Sequence, residues 1–297
     1  MNLVVGATGL LGGEICRRLL RAGKPVRAVV RSTSDPAKKD ALAQLGADLI
    51  EADLKDRASL DRACRGASTV FSTPTAILSR AEADSFDTVD LDGQMALVDA
   101  ARVAGVERFV FVSVSQGLGE GGNPLIAAKR AVEKHIQQSG LEYTILRPSF
   151  FMEIWLSPHL GFDVEKAQAT GYGSGANPIS YISLHDVADF AVQSLSHPNA
   201  RNAVIELGGP EALPPLRVIE IFEKLVGRPF QRQFVSEQEL QARKAAATNP
   251  FEVTFADLML ASARGDSIDM AETMKTLGFQ PRSVEQYARA SLRPKSS

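Results

Sequence analysis

The chain has 297 residues, of which 44% are hydrophobic and 23% charged, a composition typical of a globular α/β protein with one large domain or two unequal ones. Its formal net charge of −2 and scattered basic residues give no electrostatic basis for binding nucleic acid or an anionic membrane. Cys16 and Cys64 are too few for a disulfide framework and poorly spaced for a metal, so we expect no metal site and a reducing, cytoplasmic location. Because the first predicted strand begins at about residue 2 and no apolar run reaches about 18 residues, we expect neither a targeting peptide nor a membrane span.

The strongest motif lies in the first 20 residues. An apolar strand at 2–5 runs into a glycine-rich turn at 6–13, and apolar positions on one face predict a helix over 14–20. Glycines leave main-chain N–H groups accessible at a helix N-terminus, where the helix dipole favours a phosphate. The spacing is G-x-x-G-x-x-G rather than G-x-G-x-x-G. In this context it predicts a dinucleotide site, with a turn that only packs helix on strand as the alternative. The predicted contacts are Gly6, Thr8, Gly9, Leu10, Leu11 and Gly12.

Strand-like and helical segments then alternate through the first half of the chain. Strands are predicted at 26–30, 48–51, 69–72, 108–113 and 143–147, and helices at 36–46, 57–65, 85–104 and 124–139. This βαβ alternation predicts a Rossmann-type doubly wound parallel sheet with helices on both faces.

The pattern changes after Pro148. Glycines and a proline between 161 and 178 predict loops. Ser183 is predicted to cap a helix that ends at about residue 195, with Asp186 as its reciprocal partner, and a catalytic role for His185 and Asp186 is the alternative. A strand at 203–207, a helix at 215–226 and a polar helical tail complete the chain.

Several stretches carry a family resemblance: residues 4–13, 27–31, 51–54, 105–113, Lys129 with Glu133, and 144–149. Together they resemble the atypical short-chain dehydrogenase/reductase group and, more narrowly, its NmrA-like branch. The resemblance is strong over the Rossmann half and loose over the last third. It implies an NADPH-dependent quinone or small-carbonyl reductase, an isoflavone-reductase-like enzyme, or a catalytically silent NADP(H) sensor.

The end of the second predicted strand indicates which nicotinamide cofactor is bound. NAD selectivity needs a carboxylate there, whereas NADP needs a cation for its additional phosphate. No acid occupies residues 29–32, and Arg31 with Ser32 offers a guanidinium fork and a hydroxyl. We therefore predict NADP(H), with a solvated loop arginine as the alternative for Arg31. Asp35 is predicted to cap the next helix. By the resemblance, Asp53 contacts the adenine amino group, and a turn carboxylate is its alternative.

The proton donor of a typical short-chain reductase is missing. These enzymes place Tyr-x-x-x-Lys on the helix after the fifth strand and a serine at the end of that strand. Lys129 matches the lysine, but Leu125 stands at the tyrosine position. Either Lys129, with water or Ser115, assists hydride transfer to an acceptor that needs little proton help, such as a quinone, or NADPH is bound without turnover. A third interpretation is that Lys129 only anchors the nicotinamide ribose.

The resemblance also implies which strand ends complete the site. Further cofactor contacts are expected at Leu54, Ser72, Thr73, Pro74, Ser113, Pro148, Ser149 and Phe150, and the substrate pocket at Thr75, Phe151, Met152 and Trp155. An aromatic, sulfur-rich wall suits a planar apolar acceptor, although the same side chains could form core between two lobes. Tyr172 and Tyr181 are possible alternative proton donors, without a supporting motif.

We therefore expect an NADPH-dependent oxidoreductase that transfers hydride to a quinone-like or small carbonyl acceptor. Its NADP(H)-binding Rossmann domain would span 1–150, rejoined by 176–200, and a small C-terminal α+β substrate lobe would comprise 151–175 and 201–297. The alternative is a non-catalytic NADP(H) redox sensor or assembly factor, which a pocket filled by Phe150, Phe151 or Trp155 would favour. Besides the small-molecule acceptor, a second copy of the chain or a regulatory protein is a conceivable partner.

Overall fold

Ten strands are present in the computed structural model, which describes residues 1–77, 79, 81–119 and 122–293. They are β1 (Asn2–Val5), β2 (Val26–Val30), β3 (Asp48–Glu51), β4 (Thr69–Ser72), β5 (Arg108–Val112), β6 (Glu142–Pro148), β7 (Phe162–Asp163), β8 (Gln168–Tyr172), β9 (Ala203–Leu207) and β10 (Gln231–Val235).

Helices occupy the connections between these strands and most of the C-terminal region. They are α1 (Leu10–Arg21), α2 (Pro36–Gln44), α3 (Arg57–Cys64), α4 (Gly93–Val103), α5 (Pro124–Gln138), α6 (Met152–Trp155), α7 (Leu184–Gln193), α8 (Pro215–Val226), α9 (Glu237–Ala246), α10 (Pro250–Arg264), α11 (Ala271–Leu277) and α12 (Val284–Ser291). No helix within the described residues is both long and apolar enough to cross a bilayer.

The central sheet has the strand order β3-β2-β1-β4-β5-β6-β9, and neighbouring strands from β1 to β6 pair in parallel. This confirms the predicted Rossmann-type doubly wound fold. The order reverses between β1 and β4, where Val5 pairs with Ser72. Ligands of such sheets bind beside the carboxyl ends of the strands at this switch point. The glycine-rich turn follows β1 at that position.

Local sequence explains where the first and fifth helices form. α1 buries Ile15, Cys16 and Leu19 on one face, which is the spacing of an amphipathic helix. α5 begins with Pro124, and the Asn123 side chain accepts hydrogen bonds from the N–H groups of the next turn. An asparagine cap followed by proline is a favoured helix start because it satisfies N–H groups that have no intrahelical acceptor.

The chain divides into two compact units. The first comprises 1–114, 120–147 and 187–205, and the second comprises 115–119, 148–186 and 206–297. Residues 176–186 lie in the second of these units.

The prediction of loops over 161–178 was wrong for part of this segment. β7 and β8 lie there, and with β10 they form a small sheet in which β8 pairs in parallel with β10 and antiparallel with β7. Gly171 explains the error, because a Cβ at this position would lie 2.4 Å from the Phe234 ring of β10. Glycine inside a strand often marks such a close approach rather than a loop.

One predicted helix start and one predicted helix type also differ from the structure. α1 begins at Leu10, four residues before the predicted start, so Gly12 and Gly13 are helical. The predicted helix 85–104 consists of a π-helical segment, Phe86–Asp92, followed by α4.

The serine of the predicted capping box at α7 caps the helix. The Ser183 hydroxyl accepts a hydrogen bond from the His185 N–H, as a cap does. Asp186, the predicted partner of Ser183, accepts from the Arg282 N–H at 2.8 Å and pairs with its guanidinium. A partner 96 residues away in the chain therefore binds the carboxylate that local spacing assigned to the helix start.

Candidate functional site

The turn after β1 is open toward solvent at the start of α1. Gly6 has a φ of +83°, a conformation that favours glycine, and its carbonyl accepts the Gly9 N–H at 2.9 Å. Gly9 is exposed and is the N-cap of α1, with no side-chain capping bond and no acidic residue in the first turn. The helix N-terminus therefore carries its positive dipole end without a competing carboxylate, which suits a phosphate.

The glycines of this turn have different neighbours. A Cβ at Gly12 would lie 2.2 Å from the Gly6 carbonyl oxygen, and a Cβ at Gly6 would lie 2.6 Å from the Thr73 hydroxyl. At Gly9 the nearest atom would be the Gly6 oxygen, at 3.1 Å. Packing of turn and helix thus accounts for Gly6 and Gly12, whereas the exposed Gly9 leaves room for an incoming group.

The end of β4 supports the same turn. Thr73 donates its hydroxyl to the Val5 carbonyl at 3.1 Å, and the Pro74 ring lies near Gly6. Ser72 is fully buried and donates to Gln94 at 2.6 Å, and Leu54 is also buried, beside Gly93. The side chains of Ser72 and Leu54 are therefore packed inside the first unit.

Arg31 belongs to an ion-pair cluster that was not expected from the sequence. Its Nη1 lies 2.7 Å from Asp84 Oδ2, and Lys55 Nζ lies 2.6 Å from Asp84 Oδ1. Burial opposes ionisation of Asp84, but hydrogen bonds from Lys55, Ser79 and Arg31 lower the pKa of this carboxyl to about 2. Asp84 therefore stays ionised. No local motif could have linked it to Arg31, since 53 residues separate them.

A small open cavity of about 110 Å³ adjoins the cluster, lined by Arg31, Ser32, Glu51, Ala52, Asp53, Asp56, Ser59 and Arg62. Asp53 also closes a turn, because its carboxylate accepts the Lys55 N–H at 2.9 Å. The cavity and the turn agree with both interpretations of Asp53. Asp35 caps α2 through the Ala37 N–H, as predicted.

Lys129 is buried on α5 among acceptors. Its Nζ lies 3.3 Å from Asp90 Oδ1, 3.4 Å from the Pro74 carbonyl oxygen and 3.5 Å from that of Val112. The Phe111 ring centroid is 5.0 Å away. These contacts fix the position of the Lys129 amino group. Asp90, fully buried on the π-helical segment, was missed by the sequence analysis.

Three further residues of the first unit were singled out in the sequence: Ser113, Leu125 and Thr75. Ser113 is buried and donates to Glu133, which also accepts from Arg130 and Arg147. Leu125 is buried at 4% exposure, and no phenol stands at its position. Thr75 is exposed and its hydroxyl accepts the Ile77 N–H.

In the second unit, Ser115 and Ser149 share one carboxylate. Their hydroxyls donate to Asp266 Oδ2 at 2.7 and 2.6 Å, and all three residues are buried. The Ser115 N–H also donates to the Pro148 carbonyl. Asp266 follows Ser115 by 151 residues, so no sequence signal pointed to it. The hydroxyl expected to assist catalysis is therefore engaged with a carboxylate of the protein.

Several side chains predicted for the cofactor site or the pocket lie in the apolar core of the second unit. Phe150 packs edge-on against Trp155 with ring centroids 4.5 Å apart, and Trp155 packs against Tyr172. Met152 is fully buried, while Phe151 is half-buried and forms a bridge with Ile182. Phe150 and Met152 are therefore core residues, which was the alternative to a wall of the substrate pocket.

The tyrosines considered as alternative donors are also in this unit. Burial raises the pKa of both Tyr172 and Tyr181, whereas a tyrosine that serves as a general acid or base near neutral pH needs a lowered pKa. Among the described residues, no group of three or more His, Cys, Asp or Glu side chains is placed to hold a metal.

The profile of the NmrA-like family matches residues 2–288. The chain belongs to this family. The match confirms the resemblance inferred from the glycine turn and the strand ends, and the chain has the NAD(P)H-binding reductase-type fold of the atypical short-chain dehydrogenase/reductase group.

The relatives of this NmrA-like chain include proteins named as assembly factors and proteins named as reductases. It is 33% identical to the photosystem II assembly factor Ycf39 of Guillardia theta, over 96% of the chain and 92% of the relative. It is 30% identical to an NAD(P)H azoreductase of Xenophilus azovorans, over 87% of the chain and 85% of the relative. The named relatives thus include both an assembly factor and a reductase.

Among solved structures, the fold is similar to the NADPH-dependent quinone oxidoreductase QOR2 of Escherichia coli, crystallised with NADPH. The TM-score is 0.79 and the identity 23%, over 99% of this chain and 100% of the other. At this identity the similarity concerns the fold.

Proposed function

We propose that this NmrA-like protein binds NADP(H) at the turn after β1 and transfers hydride to a quinone-like or small carbonyl acceptor. The observation that carries the proposal is the exposed N-terminus of α1 at Gly9, at the switch point between β1 and β4. A Cβ at Gly9 would occupy part of this opening, so the site fits a pyrophosphate that approaches the main chain closely. Named reductases among the relatives support the same assignment.

The residues have distinct proposed roles toward the cofactor. Gly9, Leu10, Leu11 and Gly12 would hold the pyrophosphate through main-chain N–H groups, and Arg31 with Ser32 would hold the 2′-phosphate. Asp53 would contact the adenine. Lys129 would hold the nicotinamide ribose. When bound, NADPH supplies the hydride.

The acceptor class follows from the proton donors. Leu125 provides no phenol, the Ser115 hydroxyl donates to Asp266, and the Lys129 ammonium lies among Asp90, Pro74 and Val112. A quinone gains aromatic stabilisation on reduction and can take its proton from water, so it depends less on a side-chain acid than an aldehyde does. We therefore place quinones ahead of simple carbonyls, and propose that Lys129, besides holding the ribose, assists proton delivery from water.

Steady-state oxidation of NADPH tests this proposal, with a panel of quinones, aldehydes and enones in the presence and absence of oxygen. If Lys129 assists proton delivery, Lys129→Ala lowers kcat by about 10²–10⁴-fold. If it only anchors the ribose, the KM for NADPH rises and kcat stays near the wild-type value, because ground and transition states share that contact. The exposed Lys134, also on α5, provides a matched control as Lys134→Ala.

A second candidate is an NADP(H)-dependent assembly or regulatory protein without turnover. The similarity to Ycf39 favours it, as does the mutual packing of Phe150 and Trp155, two side chains that the sequence analysis predicted at the cofactor and the acceptor. Tight NADPH binding without multiple turnovers on any member of the panel would establish this candidate and reject the reductase.

A further inference from the structure

One buried carboxylate holds two cations at the ends of neighbouring strands. Arg31 directly follows β2, and Lys55 lies shortly after β3, the strand next to β2 in the sheet. Both contact Asp84, at 2.7 and 2.6 Å, through different carboxylate oxygens. Ser79 donates a third hydrogen bond to Asp84, at 2.5 Å.

Exposure differs sharply across this cluster. The Asp84 side chain is 3% exposed, whereas those of Arg31 and Lys55 are 41% and 28% exposed. The cations therefore lie between the carboxylate and solvent. A ligand that approaches from solvent meets the two cations before it meets Asp84.

The guanidinium of Arg31 has unused donors. Among the described residues its side chain contacts Asp84 through Nη1, while Nε and Nη2 have no hydrogen-bond partner. Those two N–H groups form the fork that binds phosphate oxygens in a bidentate manner. Asp84 can thus hold one side of the guanidinium while the other side accepts a ligand.

We propose that Lys55 is a second phosphate-binding cation beside Arg31, and that Asp84 is the positioning residue that holds both toward the 2′-phosphate of NADP(H). The inference rests on the proposed function in that the turn after β1 must bind the dinucleotide. It adds a residue pair that sets the preference for a phosphomonoester on the adenosine ribose over a free hydroxyl.

Loss of Asp84 has two opposing effects on binding of the 2′-phosphate. Its negative charge repels the ligand, but its contacts hold the Arg31 side chain and, together with Asp53, whose Oδ1 lies 3.0 Å from Lys55 Nζ, the Lys55 side chain. The exposed cations separate Asp84 from the incoming phosphate, so the positioning effect is the larger one. Asp84→Asn is therefore expected to weaken NADP⁺ binding.

Calorimetric titration of NADP⁺ and NAD⁺ against the full chain tests the proposal without requiring activity. The readout is the ratio of the Kd for NAD⁺ to the Kd for NADP⁺. Arg31→Ala sets the scale, with a loss in this ratio of about ten- to a hundredfold. Lys55→Met and Asp84→Asn are each expected to lower the ratio about tenfold, with the Kd for NAD⁺ unchanged. Asp84→Glu, which keeps the charge, is expected to retain part of the preference.

Two control variants change the same charges elsewhere. Lys24→Met removes an exposed cation before the amino end of β2, and Asp87→Asn removes an exposed carboxylate on the π-helical segment. Both should leave the ratio unchanged. The dependence of NADP⁺ binding on salt should weaken in Lys55→Met and not in Lys24→Met.

The results distinguish a failure of the Lys55 and Asp84 proposal from a failure of the proposed function. A wild-type chain that binds neither dinucleotide rejects the proposed function and the inference together. Binding of both without preference, or an unchanged ratio in Lys55→Met, rejects the inference alone, as does a higher ratio in Asp84→Asn. If Asp84→Asn does not fold, Lys55→Met still decides, because its side chain is partly exposed.

Discussion

Gly9 and Gly12 are three residues apart in the same turn but have different structural demands. A side chain at Gly12 meets the Gly6 backbone at 2.2 Å, whereas one at Gly9 projects from an exposed position with a single close atom at 3.1 Å. Packing therefore requires glycine at position 12, whereas at position 9 we propose that the approaching cofactor requires it.

We expect Gly9→Val to weaken NADPH and NADH binding equally, by at least about a hundredfold, because its side chain occupies the volume that the pyrophosphate needs. Its circular dichroism spectrum and Tm should stay close to wild type. Gly12→Ala should instead lower the free energy of unfolding by about 1–3 kcal/mol, since the backbone must shift. Titration of both cofactors and thermal unfolding give the measurements. Wild-type affinity in a folded Gly9→Val variant would remove the basis of the proposed site.

The connection from β4 to α4 contains a π-helical segment that the sequence predicted as part of one α-helix. This segment also places a carboxylate beside Lys129. The π-helical segment Phe86–Asp92 carries Asp90, whose Oδ2 accepts the Ala76 N–H at 2.8 Å while Oδ1 faces Lys129 at 3.3 Å. π-Helical turns are rare and occur often at functional sites. Periodicity over 85–104 indicated a single helix, because the apolar positions of a π-helix differ little from those of an α-helix over so short a length.

The small sheet depends on a glycine in β8. We expect Gly171→Ala to destabilise the chain by about 1–3 kcal/mol, because the new methyl group would lie 2.4 Å from the Phe234 ring. Denaturant unfolding measures the loss. Phe234→Leu in the same chain should recover part of it, which a double-mutant cycle detects. Equal losses in Gly171→Ala with and without Phe234→Leu would show that this contact does not determine the residue type.

At the scale of the whole molecule, its polar contacts connect residues far apart in the chain. Asp84 binds Arg31 across 53 residues, and Asp266 binds Ser115 across 151. These carboxylates are buried, and removal of one partner would leave a buried group unsatisfied. Because the pKa of Asp84 is lowered to about 2 in the folded chain, the free energy of unfolding should depend on pH through this carboxylate.

The pH dependence of unfolding tests this for Asp84. Ion pairing lowers its pKa from 3.8 to about 2 in the folded state, so its stabilisation is complete above about pH 4 and is lost as the pH falls toward 2. After allowance for screening of the partly exposed cations, this pH-dependent part is about 1–2 kcal/mol. Denaturant unfolding of wild type and Asp84→Asn from pH 6 to pH 2 measures it. A difference in unfolding free energy that stays constant over this range would contradict the assignment.

The sequence alone was sufficient for the Rossmann-type sheet, the glycine turn and the family. β2, β3, β4 and β9 have the predicted bounds, β5 differs by one residue at one end, and β6 differs by one residue at each end. Buried parallel strands are short continuous apolar runs, and their alternation with helices leaves few possible topologies. These signals are local, so they can be read from neighbouring residues.

Tertiary structure decided the partners of the charged and hydroxyl side chains. Arg31 and Lys129 were identified by position, but Asp84 and Asp90 became visible as their partners once the chain was folded. The strand containing Gly171 was likewise hidden, because its reason is the ring of Phe234 on another strand. Ion pairs, buried hydrogen bonds and close packing depend on distances between segments remote in sequence, and no local pattern of residues specifies those distances.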